Sequence, residues 1–240
     1  MENIKKYKSQ IIGILMFFLM FIISDLILSI LIGLGLDIKS LSNSTKYYIL
    51  LGVSLVFPII LAIVYRKKLG KDFKKIKKEY KSYLDIMINY YTIGVIGMVI
   101  ANCILQYGLD LGLAGNEEGV RNLLVEAPLY TFISACILAP FEEEMLFRKV
   151  INDFCKNKYV FIIFSGLIFG LMHVIGIASG LEYLYAIPYG ILGSIFALIY
   201  VKTDNIWCPI LIHFFHNTVL VLVQLKVNGI IWKSVVINIK

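Results

Sequence analysis

Long apolar runs separated by short polar ones dominate this chain. The runs fall at about 11–36, 47–65, 86–113, 127–154, 159–178, 181–201 and 205–225. Most approach the roughly 20 residues that a helix needs to cross a hydrocarbon core of about 30 Å. Backbone groups in lipid must be satisfied within the segment, so spanning runs of this kind read as helices. The pattern predicts an all-α, polytopic transmembrane bundle of about seven to eight helices, with residues 1–240 forming one transmembrane domain. A shorter apolar tail at 228–239, interrupted by Lys233, is the candidate eighth span. Tyr183–Tyr189 (YLYAIPY) reads as an interfacial aromatic belt with a kink at Pro188, and the alternative is that it lines a groove.

Composition sharpens this. The chain is 59% hydrophobic and only 16% charged, with mean hydropathy +0.83, which excludes a water-soluble domain. The net charge of +7 is unevenly spread, since nine of the 23 Lys and Arg fall in 66–81 (RKKLGKDFKKIKKEYK). Beside a span, such a cluster reads as a cytoplasmic loop facing anionic lipid, and no nucleic-acid recognition module accompanies it. With the N-terminus inside, 17 positive residues lie on the cytoplasmic side and four (Lys39, Lys46, Arg121, Lys226) opposite, leaving Lys233 and Lys240 in the tail. The expectation is a multi-pass protein of the cell membrane with a cytoplasmic N-terminus and a retained first helix. Cys103, Cys136, Cys155 and Cys208 show no CxxC spacing and read as packing residues.

Ionisable groups inside spans are costly and tend to be functional. Here they gather on three runs: Glu142, Glu143, Glu144 and Arg148 on the fourth, His173 on the fifth, and His213, His216 and Asn217 on the seventh. Glu144 and Arg148 are four apart and can pair on one face, whereas Glu143 points about 100° away and stays free. Phe169 shares a face with His173, as His213 does with Asn217. Counting from the turns near Cys155–Lys158 and Lys202–Asn205, Glu143, His173, His213 and Asn217 lie roughly 14–25 Å along their helices. They therefore arrive at similar depth. Alone in the first span, Asp25 reads as a hydrogen-bonding structural group near Ser24 and Ser29. His216 reads as an interhelical hydrogen-bond partner, Glu142 as a structural or cavity-rim residue, and Asn116–Glu118 as a solvated loop.

These residues resemble the CPBP family of intramembrane proteases, also called the CAAX-protease/Abi family. Its pattern is EExxxR, FxxxH and HxxxN, read here as Glu143-Glu144…Arg148, Phe169…His173 and His213…Asn217. The likeness covers roughly 127–220. Glu142 adds a third glutamate, and Lys149 stands where a glycine is common. The resemblance implies a cavity between the fourth to seventh spans and endopeptidase activity on an apolar or lipid-modified peptide entering from the membrane. Eukaryotic members trim prenylated CAAX proteins. Bacterial relatives are linked to pheromone or bacteriocin processing, or to self-immunity.

Peptide hydrolysis needs an activated water and a stabilised oxyanion. Glu143 is the expected general base, His173 holds the water, and His213 and Asn217 stabilise the oxyanion, with Glu144 and Arg148 organising them. Zinc on Glu143, His173 and His213 is one expectation and a metal-free glutamate mechanism the other. Two further readings compete: a non-catalytic immunity or interaction protein, and a proton-coupled transporter.

Overall fold

The computed structural model describes residues 2–227 and is a membrane bundle of helices, with no strand among the described residues. The candidate span at 228–239 lies outside the described residues. Helix α1 (Glu2–Gly33) leads through a turn into α2 (43–64), which Ser42 caps by accepting from the Thr45 N–H. α2 is interrupted at Leu55, where Pro58 has no N–H to offer Ser54 three to four residues back. Next come α3 (66–108), α4 (Gly115–Glu126), α5 (128–154) and α6 (Lys158–Met172). A 3₁₀ turn at Gly180–Tyr185 opens α7 (Ala186–Thr203), and α8 (Trp207–Val227) follows. Among the described residues, five helices are long and apolar enough to cross a membrane, and α6 is a shorter apolar one.

Several expectations change. The basic stretch 66–81 is no loop: it is the first part of α3, continuous with the third span and bent at Glu79 (φ −116°, ψ 17°). Lys, Arg and Glu are good helix formers, and a charged run beyond the bilayer continues the helix it adjoins. The fifth run ends at Met172 rather than at 178, leaving His173 as the C-cap. Asn116–Glu118 form the first turn of α4, where two glutamates suit the positive end of the helix dipole. Pro188 makes no kink, because it falls in the first turn of α7, where a missing N–H costs nothing. Asp25 is exposed on α1 and has no hydrogen bond or ion pair among the described residues, so it is not the structural group expected.

In lipid, tails are as apolar as leucine, and helices associate through close packing and polar contacts. The tightest crossing is α6 on α7. At Gly170 an added Cβ would strike the Ala186 carbonyl and come within 2.9 Å of the Gly190 amide, so only glycine fits there. Phe147, Phe161, Phe169, Ala197 and Ile206 fill the core between α5, α6, α7 and α8. α1 is fastened to the end of α5 by Ser9 donating to Asp153 Oδ2 at 2.6 Å.

α5 is irregular in a way that matters. π-Helical turns at Phe132–Leu138 and Met145–Val150 flank Ala139–Glu144. Pro140 removes one ladder N–H, and the wider turn beside it absorbs the gap. The irregular stretch carries the glutamates and continues past Arg148 to Phe154.

Candidate active site

Arg148 and Glu144 pair within α5 through two parallel bonds: Nε donates to Oε2 at 2.6 Å and Nη2 to Oε1 at 3.0 Å. Both side chains are fully buried. The remaining guanidinium arm donates from Nη1 to Ser165 Oγ on α6 at 2.6 Å, and Ser165 in turn donates to the Phe147 carbonyl. The Phe169 ring lies 4.9 Å from the Arg148 guanidinium carbon. A planar fork with five donors suits this arrangement, because every polar atom facing apolar walls needs a partner.

From that pair the network reaches α8. Glu144 Oε1 also accepts from His213 Nδ1 at 3.0 Å. A carboxylate paired with a guanidinium has only lone pairs to offer, so the proton of this bond sits on Nδ1. His213 stacks on Phe196 (centroids 4.8 Å, 28°) and turns Nε2 towards Glu143, whose Oε2 is 3.9 Å away. Glu143 Oε2 is buried and has no hydrogen-bond partner among the described residues.

Glu143, His173, His213 and Asn217 line one cavity of about 210 Å³, together with Phe169, Tyr189 and His216. His173 Nδ1 lies 2.8 Å from the Phe169 carbonyl, an acceptor, so Nδ1 carries the proton and Nε2 is a free acceptor. Asn217 donates from Nδ2 to the Ala135 carbonyl at 2.7 Å, which fixes the plane of its amide. The structure thus gathers Glu143, His173, His213 and Asn217 on a cavity and sets Glu144 and Arg148 behind them. Glu142 is half-buried and not part of the lining. His216 Nδ1 meets the Tyr91 hydroxyl at 3.0 Å, an interhelical partnership that leaves it on the cavity wall.

Two contributors were not anticipated. Ser165, fully buried on α6, holds the third arm of Arg148, and nothing in a lone serine signals that. α4 supplies a wall through Asn116, Glu117, Val120, Arg121 and Leu124. Its Glu117–Arg121 pair at 2.8 Å has the i,i+4 spacing that could have revealed a helix. Tyr189, within the 183–189 stretch for which groove lining was the alternative reading, is on the cavity wall and packs on His173.

Zinc needs ligand atoms converging to about 2.0–2.2 Å of one point. Among the described residues no three His, Cys, Asp or Glu side chains form such a group. Glu143 and His213 face each other at 3.9 Å, but His173 does not converge with them among the described residues, so the trio as placed does not fit a zinc site.

A helical membrane protein with buried glutamate, arginine and histidines converging on a cavity is the class that fold and site define. Residues 125–219 match the family described as Type II CAAX prenyl endopeptidase Rce1-like. The chain is 31% identical over 140 residues to the candidate membrane peptidase YdiL of Bacillus subtilis (strain 168), covering 57% of this chain and 54% of that one. It is 29% identical over 159 residues to the membrane-embedded CAAX protease MroQ of Staphylococcus aureus (strain USA300), covering 62% and 61%. The UPF0177 protein YxdF of Lactococcus lactis is 26% identical over 162 residues, 65% of this chain and 85% of that one. The match thus spans little more than half the length of YdiL and MroQ. No solved structure matches the chain.

Proposed function

We propose that this protein is an intramembrane endopeptidase, set in the cell membrane with its N-terminus cytoplasmic, that hydrolyses a peptide bond of an apolar or lipid-modified peptide. The observation that carries the reading is Glu143: a carboxylate oxygen on a cavity wall, buried, unpartnered, and 3.9 Å from an imidazole nitrogen. Such an oxygen is placed to accept a proton from water. The likeness to MroQ supports the same class, as do the apolar cavity residues Leu192, Leu220 and Val221.

In this mechanism Glu143 takes a proton from water as the water oxygen attacks the carbonyl carbon. His173 Nε2 accepts the second water proton as a hydrogen bond and fixes the attack angle. His213, with Nδ1 held by Glu144, turns Nε2 towards the oxyanion, and the second Asn217 N–H donates to it. The C–N bond breaks as Glu143 passes its proton to the leaving amine. In this reading the base, the donors and the cavity all come from the chain's own residues.

The test is cleavage of prenylated and unmodified apolar peptides by purified protein in detergent or vesicles, with and without chelator. Wild type should cleave and Glu143→Ala and His213→Ala should not, while both mutants insert and fold. Wild-type turnover in either mutant ends this mechanism. Loss of activity to chelator, restored by zinc, would replace it with a metal one.

A further inference from the structure

His173 is the one histidine of the site that stands at a helix end. α6 stops at Met172, and His173 is its C-cap (φ −81°, ψ −12°), followed by turns containing Gly176 at φ +81°. A residue there has lost the ladder beyond it, so its side chain needs holding from elsewhere. The holding comes from two rings. Phe169, one turn back, lies at 4.4 Å and 39°, and Tyr189 of α7 lies at 4.4 Å and 23°, a stacked geometry. His173 is sandwiched between them.

Tyr189 is well placed to act as a clamp. It sits in the first turn of α7 between Pro188, which fixes its own φ, and Gly190. At Gly190 an added Cβ would come within 3.3 Å of the Gly166 carbonyl, so α7 is seated on α6 at this level. The ring that covers His173 is therefore anchored to the helix that bears His173. Its hydroxyl faces Asn116 of α4 at 3.5 Å, too long to carry much of the holding.

We propose that Tyr189 is a positioning residue, whose ring locks the His173 imidazole in the plane where Nδ1 donates to the Phe169 carbonyl and Nε2 faces the cavity. The kinetic part rests on the endopeptidase reading above; the conformational part does not. Stacking is the effective feature, so phenylalanine should serve as well as tyrosine.

The chain has three histidines, which makes their ring nitrogens resolvable by NMR of ¹⁵N-histidine-labelled protein in micelles, with assignment from His213→Gln and His216→Gln. In wild type and Tyr189→Phe, His173 should show one neutral tautomer, protonated at Nδ1. In Tyr189→Leu both tautomers should appear. With a cleaved peptide, Tyr189→Leu should lower kcat by up to about tenfold with KM within twofold, the scale of an aromatic pair. Tyr189→Phe should stay within about twofold. Should Tyr189→Leu not fold, Tyr189→Met takes its place. A single Nδ1–H tautomer in the aliphatic variant, or equal impairment of Tyr189→Phe, overturns the proposal. A wild type that cleaves nothing sinks the endopeptidase reading instead, and the tautomer measurement still judges the clamp.

Discussion

His213 lies between two adjacent glutamates with a different nitrogen turned to each: Nδ1 is 3.0 Å from Glu144 Oε1, and Nε2 is 3.9 Å from Glu143 Oε2. The neighbouring carboxylates are not equivalent. Glu144 is occupied by both Arg148 and His213, whereas Glu143 keeps an oxygen with no hydrogen-bond partner among the described residues.

Amide substitutions should therefore separate the two roles. Glu143→Gln removes a proton acceptor whose Oε2 makes no hydrogen bond among the described residues, so thermal unfolding in detergent should stay near wild type. Turnover should fall by about 10²–10⁴, the range of a lost general base. Glu144→Gln should instead lower the melting temperature, because it leaves Arg148 without its counter-charge. A Glu143→Gln protein that cleaves at the wild-type rate, or a Glu144→Gln protein as stable as wild type, contradicts this division.

Arg148 offers a sharper stability test. Its guanidinium is fully buried, and removing one partner of a buried pair costs roughly 3–5 kcal/mol, because the other charge is stranded. Arg148→Leu should unfold or misinsert, and Arg148→Lys should recover little, since one ammonium cannot reproduce the two bonds to Glu144 and the bond to Ser165. The double variant Glu144→Leu/Arg148→Leu should recover stability but not activity. Thermal midpoints of wild type, Glu144→Leu, Arg148→Leu and the double variant form the cycle, and simple additivity would refute the coupling.

Much of this was legible in the sequence because the signals were local. Run length marked the helices, and the i,i+4 spacing of Glu144 and Arg148 marked their pair. What escaped depended on partners distant in sequence. Ser165 joins Arg148 across 17 residues, and Tyr189 meets His173 only because α7 folds back on α6. The basic stretch misled for another reason: positive charge places a segment beside the membrane but does not oppose helix, and 66–81 extends α3. Asp25 had neighbouring hydroxyls in sequence, and none of them bonds to it among the described residues.

The α6–α7 crossing should be intolerant of a single methyl. An added Cβ at Gly170 meets the Ala186 carbonyl and the backbone of Gly190, which cannot rotate away as a side chain would. Overpacking of this kind costs about 1–3 kcal/mol. Gly170→Ala should lower the melting temperature in detergent and reduce turnover, since the same crossing carries His173 and Tyr189. Gly52→Ala, which meets nothing within 4 Å, is the control and should leave both unchanged.

The last prediction concerns how α8 is aimed. Asp72 of α3 is fully buried, and its Oδ2 accepts from the Ile206 N–H at 3.0 Å and from Lys68 at 3.0 Å. Asn205 returns the contact, donating to the Asp72 carbonyl at 2.8 Å while its Oδ1 accepts from the Trp207 N–H. A carboxylate from another helix thus helps satisfy the amide groups that open α8, and His213 follows about two turns later. Losing a helix cap costs roughly 0.5–2 kcal/mol, and here Lys68 also loses the nearer of its two carboxylate partners. Asp72→Ala should lower the thermal midpoint by a few degrees and reduce turnover several-fold, although the residue lies far from the cavity. Asp72→Asn keeps an acceptor for Ile206 and should fall between Asp72→Ala and wild type. If Asp72→Ala melts and cleaves like wild type, the aim of His213 is set within the bundle core and not by this cap.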